Sequence, residues 1–283
     1  MIYYLMLLCM PLVASCQSIA QKQYNIKCEK PNVILFSSVT SFIALCFFLI
    51  TSRLQLTFDA RLVPYSLGFA VCYACAWIGT VLAVRYGSIA ISNLIVSCSL
   101  IFPTALGVLL GEPLTARIVL GVALLLCAIV LVNVKKGGKE KFSLKWFACV
   151  MVAFFGNGCC SIMSNLQKRT LGDAYTHEFM IIALLAAAVL LLICAVATSK
   201  NVKADFKACL PYSASNGIAN AVLNFMTLTI IGNIPNTVFY PTNSALNMLC
   251  AFLLGYFVYK ERFGKLQYVG YALGAVTIVM LNL

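Results

Sequence analysis

The sequence predicts an all-α integral membrane protein, with ten transmembrane helices arranged as two inverted five-helix repeats. Three observations carry that expectation: an extreme apolar composition, the placement of the few charges, and a match between the two halves of the chain. Of 283 residues, 62% are apolar and only 10% are charged, with a mean hydropathy of +0.97. Soluble domains carry about 45–50% apolar and about 25% charged residues, because polar surface must cover their core. The same numbers exclude fibrous, disordered and disulfide-scaffold classes.

Stretches free of Asp, Glu, Lys and Arg cover 1–21, 31–52, 62–84, 86–111, 118–134, 146–167, 179–199, 208–259 and 266–283. About 20 apolar residues span a hydrocarbon core of roughly 30 Å at 1.5 Å per residue. The stretch 208–259 holds two spans, divided by the turn signal Gly232-Asn233-Ile234-Pro235. The expected helices are 3–21, 31–51, 63–85, 88–110, 114–134, 146–168, 178–199, 208–231, 234–259 and 264–283. None alternates polar and apolar residues as a barrel strand does. Helix 1 has features of a lipoprotein leader in Val13-Ala14-Ser15-Cys16, but no Lys or Arg precedes its apolar stretch, so a membrane helix is the simpler reading.

The net charge of +12 lies in short segments between these helices, the pattern of headgroup anchors rather than of nucleic-acid binding. Fifteen Lys and Arg residues fall in the odd-numbered connections and five in the even ones. Positive residues favour the cytoplasm, so the count places both termini outside. Most of the fourteen cysteines sit inside apolar runs. Cys72 and Cys75 share a helix face, but the single histidine, His177, lies elsewhere, so small apolar packing residues describe them better than zinc ligands. No metal and no cofactor is expected.

Residues 107–133 align without a gap on 256–282, setting Glu112 on Glu261, Gly121 on Gly270 and Asn133 on Asn282. Cys16-Gln17-Ser18-Ile19 likewise falls beside Cys159-Cys160-Ser161-Ile162. Five helices per half is an odd number, so the second half enters from the opposite side, a plan recurrent among secondary transporters. The expected units are 1–134, a basic connection over 135–145, and 146–283. The segment Ser97-Cys98-Ser99-Leu100-Ile101-Phe102-Pro103, with Gly111-Glu112-Pro113-Leu114-Thr115 and Gly121, resembles the end of an EamA-type repeat of the drug/metabolite transporter superfamily. Two positions depart from that pattern: Lys260 stands where Gly111 predicts glycine, and Pro241 does not match Pro103. The resemblance implies transport of small metabolites or drugs across the cell membrane by ten helices. It also implies a solute cavity mainly among helices 1, 3, 4, 6, 8 and 9, and both termini inside, against the charge count.

No charge falls at a helix centre: Arg85, Glu112, Arg117, Glu178, Lys260 and Glu261 all lie at expected helix ends. A midplane charge is costly and marks function, so neither a central carboxylate relay nor a buried phosphate site is expected. The solute is then neutral, zwitterionic or weakly cationic. Intramembrane enzymes need embedded Asp, Ser–His or metal sites, which these helices lack, so no enzymatic activity is expected. A non-transporting receptor or assembly subunit is the alternative, and a homodimer is left open.

Polar stripes nominate the solute site. Helix 8 carries Asn216, Asn220 and Asn224 at intervals of four; helix 9 carries Tyr240, Asn243 and Asn247; helix 6 carries Asn157, Ser161 and Asn165; helix 4 carries Asn93 and Ser97. Helix 3 adds Tyr73 and Trp77, which with Phe239 and Tyr240 offer an aromatic wall. An amide facing lipid leaves its hydrogen bonds unmade, so the stripes face protein or water. Interhelical bonding is the competing role for each asparagine. Expected substrate-binding residues are Tyr73, Trp77, Asn93, Ser97, Asn157, Ser161, Asn220, Asn224, Tyr240, Asn243 and Asn247, mostly around one central cavity. Glu112 and Glu261 read as structural groups beside Arg117 and Lys265, the Gly107/Gly111 and Gly270/Gly274 pairs as packing sites, and His177 and Glu178 as a solvated helix start.

Overall fold

The computed structural model describes residues 2–28, 31–53, 56–86, 92, 95–133, 143–199, 201–258, 260 and 263–282. Asn93, Glu261 and most of the 135–145 connection lie outside these. Among the described residues the chain forms ten α-helices and no strand. They are α1 (Ile2–Lys27), α2 (Val33–Thr51), α3 (Leu62–Tyr86), α4 (Ile101–Leu109), α5 (Ala116–Asn133), α6 (Leu144–Leu171), α7 (Thr176–Thr198), α8 (Val202–Ile230), α9 (Asn236–Leu253) and α10 (Lys265–Asn282). A 3-10 turn, Cys98–Leu100, leads into α4, and a π turn, Leu254–Val258, extends α9. Five helical stretches, Ile2–Lys27, Val33–Thr51, Leu62–Ala83, Leu144–Leu171 and Asp173–Thr198, are long and apolar enough to cross a membrane. Large apolar side chains such as Leu12, Phe42, Ile50 and Ile193 are exposed on helix exteriors, as a protein embedded in lipid requires.

Two helices extend well past the charge-free runs that marked them. The first continues to Lys27, and α8 begins at Val202, ahead of Lys203, Asp205 and Lys207. The absence of charge marks the apolar part of a helix, whereas the helix itself ends where its caps are. Asn201 caps α8 through Ala204 N at 3.3 Å, and Asn32 caps α2 through Leu35 N at 3.0 Å. Asp205 accepts from Ser199 at 2.7 Å and from Asn32 Nδ2 at 3.1 Å, tying the starts of α2 and α8 together. Tyr24, buried near the end of α1, accepts from Asn32 N at 2.9 Å.

Packing runs chiefly between the first five helices and the last five. α1 lies on α8 and α9, α2 on α7 and α8, α3 on α6 and α7, α4 on α6 and α9, and α5 on α10. The α3–α6 contact brings backbones together: a Cβ on Gly156 would lie 2.7 Å from Ala76 N and from Cys72 O, and one on Gly79 2.7 Å from Ala153 N. The largest buried apolar cluster, including Phe48, Phe69, Phe179 and Phe239, fills the space among α1, α2, α3, α7, α8 and α9. Glu178 departs from the solvated reading. It is buried and accepts from Thr57 N at 3.0 Å, while the His177 ring packs between Phe48 and Phe225.

Candidate functional site

Two cavities lie toward opposite ends of α9. The larger, about 650 Å³, opens toward the end where α5 leaves and α10 begins, an end fixed by Gln267 Nε2 donating to Val132 O at 2.9 Å. Its walls come from α1, the approach to α4, α5, α9 with its π extension, and α10. The polar groups are Ser15, Gln17, Ser18 and Lys22 on α1, Ser97 before α4, and Ser244 and Asn247 on α9, facing apolar Ile129, Val132 and Met248. Mixed lining of this kind, mostly apolar with a few placed polar groups, is what a small-molecule site needs. Asn216 Nδ2 donates to Gln17 O at 3.2 Å and so holds this face of α1 from behind. Asn247 donates from Nδ2 to Asn243 Oδ1 at 3.3 Å, but its own Oδ1 is buried without a protein partner. A buried acceptor left unpaired costs about 1–3 kcal/mol, so this wall has an unmet demand for a donor.

Ser97 and Asn247 are the expected binding residues that line this cavity, and Asn243 adjoins it through Asn247. The others meet protein partners elsewhere. Asn220 Nδ2 donates to Tyr73 Oη at 3.3 Å, Asn224 Nδ2 to Asn220 Oδ1 at 2.9 Å, and the Tyr73 and Trp77 rings lie 6.4 Å apart. Asn165 Nδ2 donates to Tyr240 Oη at 2.8 Å and to Ser161 O at 2.8 Å. Asn157 Nδ2 donates to Ser99 Oγ at 2.6 Å. The expected aromatic wall resolves into ring pairs within single helices, Tyr73–Trp77 on α3 and Phe239–Tyr240 on α9. Asn93 lies outside the described residues. The stripes on α3, α6 and α8 therefore knit helices together, while the cavity uses α1, whose Ser15, Gln17, Ser18 and Lys22 were not nominated. A sequence signal for them existed: Ser15, Gln17, Ser18, Gln21 and Lys22 place five polar residues within eight positions of a helix whose first half is apolar.

The second cavity, about 620 Å³, lies where α4 and α6 end and α9 begins, lined by Leu110, Glu112, Asn165, Lys168, Arg169 and Asn236 among others. Lys168 pairs with Asp173, and Arg169 Nη2 donates to Leu110 O at 3.1 Å. Glu112 reaches across to the start of α9, where Oε1 accepts from Asn236 N and Oε2 from Thr237 N, each at 2.8 Å. Its partners are thus backbone donors of the other half of the chain, and the expected pairing with Arg117 is not what positions it. Between the cavities, α9 presents Thr237, Phe239, Pro241 and Thr242, all buried. From Asn236 to Ser244 this layer is about 12 Å deep at 1.5 Å per residue.

No family model and no curated protein matches the chain. A solved crystal structure of a protein is similar to it over 99% of this chain and 98% of its own, with a TM-score of 0.78 at 16% sequence identity. At that identity the likeness is one of fold: the whole chain adopts an arrangement of helices that an experimentally determined protein also adopts.

Proposed function

We propose that the chain is a secondary transporter of the drug/metabolite transporter type. It would move a small neutral, zwitterionic or weakly cationic organic solute across the cell membrane by alternating access. Ten helices would span the bilayer as two inverted repeats, 1–134 and 146–283, joined by 135–145. The observation that carries the reading is the pair of cavities toward opposite ends of α9, separated by a thin buried layer. A site reached from one side and then the other needs such a layer, and inverted halves can exchange its open face.

The packing supports the repeat. Exchanging α1 with α6, α2 with α7, α3 with α8, α4 with α9 and α5 with α10 turns the α1–α8 contact into α6–α3 and α1–α9 into α6–α4. It turns α2–α8 into α7–α3 and leaves α2–α7, α4–α9 and α5–α10 unchanged, each product being a contact that occurs, while the α9–α10 and α5–α9 contacts have no comparable image at α4 among the described residues. The matched glycines follow suit: Gly121 of α5 faces Leu281 of α10, and Gly270 of α10 faces Ala128 and Leu131 of α5.

The test is counterflow in proteoliposomes. Vesicles carrying the purified chain and preloaded with one unlabelled solute at a time, from a panel of amino acids, amines and neutral metabolites, are given a trace of the same labelled solute. Transient accumulation above that of protein-free vesicles is expected for at least one solute. Saturable binding without accumulation would overturn transport in favour of a receptor.

A further inference from the structure

We infer that Glu112 is a latch between the two halves that holds the layer over α9 shut at its own end, so that the structure described is the conformation open toward Lys22 and Asn247. The inference rests on the transport reading and adds which contact sets the open side.

Three features argue for a latch rather than an ordinary helix cap. The first is placement. Glu112 stands in the loop after α4, in the first half, and both its oxygens bond the start of α9, in the second, at 2.8 Å. A carboxylate on two of the orphan N–H groups of a helix start makes charge-assisted bonds and meets the positive end of the helix dipole. No covalent constraint makes this contact permanent, because the groups are far apart in the chain.

The second is how the carboxylate is seated. Glu112 N donates to Gly107 O at 3.0 Å, and a Cβ on Gly107 would lie 2.4 Å from Glu112 Oε2. Gly111, at φ +88°, supplies the left-handed turn that carries the chain from α4 to Glu112. Two glycines thus prepare a slot for one carboxylate.

The third is an unmet demand at the same seam. Asn236 Oδ1 and Thr237 Oγ1 are buried beside the latch with no hydrogen-bond partner. A seam built to stay closed gains nothing from two orphaned polar atoms. A seam that opens presents them to water, which lowers the free energy of the open form relative to an apolar seam. The latch then opposes that tendency, with Arg169 on Leu110 O as a second contact between the halves. The cavity of about 620 Å³ at the latch's own end is lined by helix ends and the turns between them, whereas the cavity of about 650 Å³ at the other end reaches Pro11 and Ser244, midway along α1 and α9.

The experiment is hydrogen–deuterium exchange with mass spectrometry on the full chain in lipid nanodiscs, comparing wild type with Glu112→Ala and Glu112→Gln. Unlatching is expected to speed exchange over 236–240 by about 10- to 100-fold in the alanine variant, from two lost charge-assisted bonds, and less in glutamine, which keeps one acceptor. Amides on the far wall, over 14–19 and 244–251, are expected to slow in the same samples as that cavity closes. Faster exchange at 236–240 with the far wall unchanged would overturn the latch and leave a static cap. Should Glu112→Ala not give a monodisperse protein, Gly107→Ala displaces the carboxylate while retaining it and must give the same two opposed shifts. Wild-type counterflow separates the two readings. Counterflow without opposed shifts defeats the latch alone, whereas opposed shifts without counterflow for any solute defeat transport alone.

Discussion

Asn247 and Asn220 show how one residue type does two jobs in one bundle. Asn220 is nearly fully buried and sits between two partners, donating to Tyr73 and accepting from Asn224. Asn247 lines the larger cavity and keeps a buried acceptor without a partner. Leucine at the two positions should therefore act oppositely. Asn220→Leu removes the side-chain bonds to Tyr73 and Asn224, leaving the Asn224 amide only the backbone carbonyl of residue 220, and is expected to lower the melting temperature by an amount corresponding to about 1 kcal/mol. Asn247→Leu removes an orphan as well as a donor, so the melting temperature should hold. The Kd of a solute found by counterflow should then weaken by about 10- to 100-fold, the worth of one buried hydrogen bond. Equal thermal losses in both, or unchanged binding in Asn247→Leu, would refute the division. Sequence spacing identified both asparagines as facing away from lipid, because an amide in hydrocarbon is costly whichever job it has. Which job each performs depends on what stands opposite, and spacing along one helix carries nothing about that. Glu112 was legible as a helix-end group for the same reason, while its partners on α9 were not.

Helices were legible because charge is excluded from the apolar layer and backbone groups there must bond internally. The ten stretches expected from 3–21 to 264–283 each contain or overlap one observed helix. Their ends were less so, since α1 runs on through Lys22 to Lys27 and α8 begins ahead of Lys203 under an Asn201 cap that charge does not mark. The contact of α3 with α6 was not legible, because a single glycine carries no signal of what stands opposite it. The crossing of α3 and α6 depends on Gly79 and Gly156, each standing against backbone of the opposite helix. Backbone has nowhere to move, unlike the flexible end of a side chain, so a larger residue must separate the helices. Gly156→Leu is expected to destabilise the protein by about 1–3 kcal/mol, the usual effect of overpacking a close contact. Gly264→Leu, where a Cβ meets only Gln267 Oε1 at 3.8 Å, should be near neutral. Thermal unfolding followed by size-exclusion chromatography reads both, and equal melting temperatures would show that the crossing has slack.

At the scale of the whole molecule, the gapless match of Glu112 to Glu261 is the feature from which interchangeable halves are proposed, and the contacts of α1, α2 and α3 map onto one another when the halves are exchanged, while the α9–α10 contact does not. The position of the larger cavity was not legible in the sequence, because it depends on which side chains of α1, α5, α9 and α10 stand opposite one another. The proposed symmetry makes a signed prediction. If Glu112 latches the conformation described here, the same residue of the other half should latch its counterpart. Glu261 lies outside the described residues, and its role follows from sequence position alone. Glu261→Gln should then favour the present conformation over the alternative: in nanodiscs, exchange over 236–240 should slow or hold, and over 244–251 it should rise. Glu112→Gln should shift both segments the other way, and the double variant should fall between the two, because each substitution weakens one latch and the population follows their difference. If Glu261→Gln moved both segments in the same direction as Glu112→Gln, the halves would not be interchangeable in mechanism, whatever their likeness in sequence and packing.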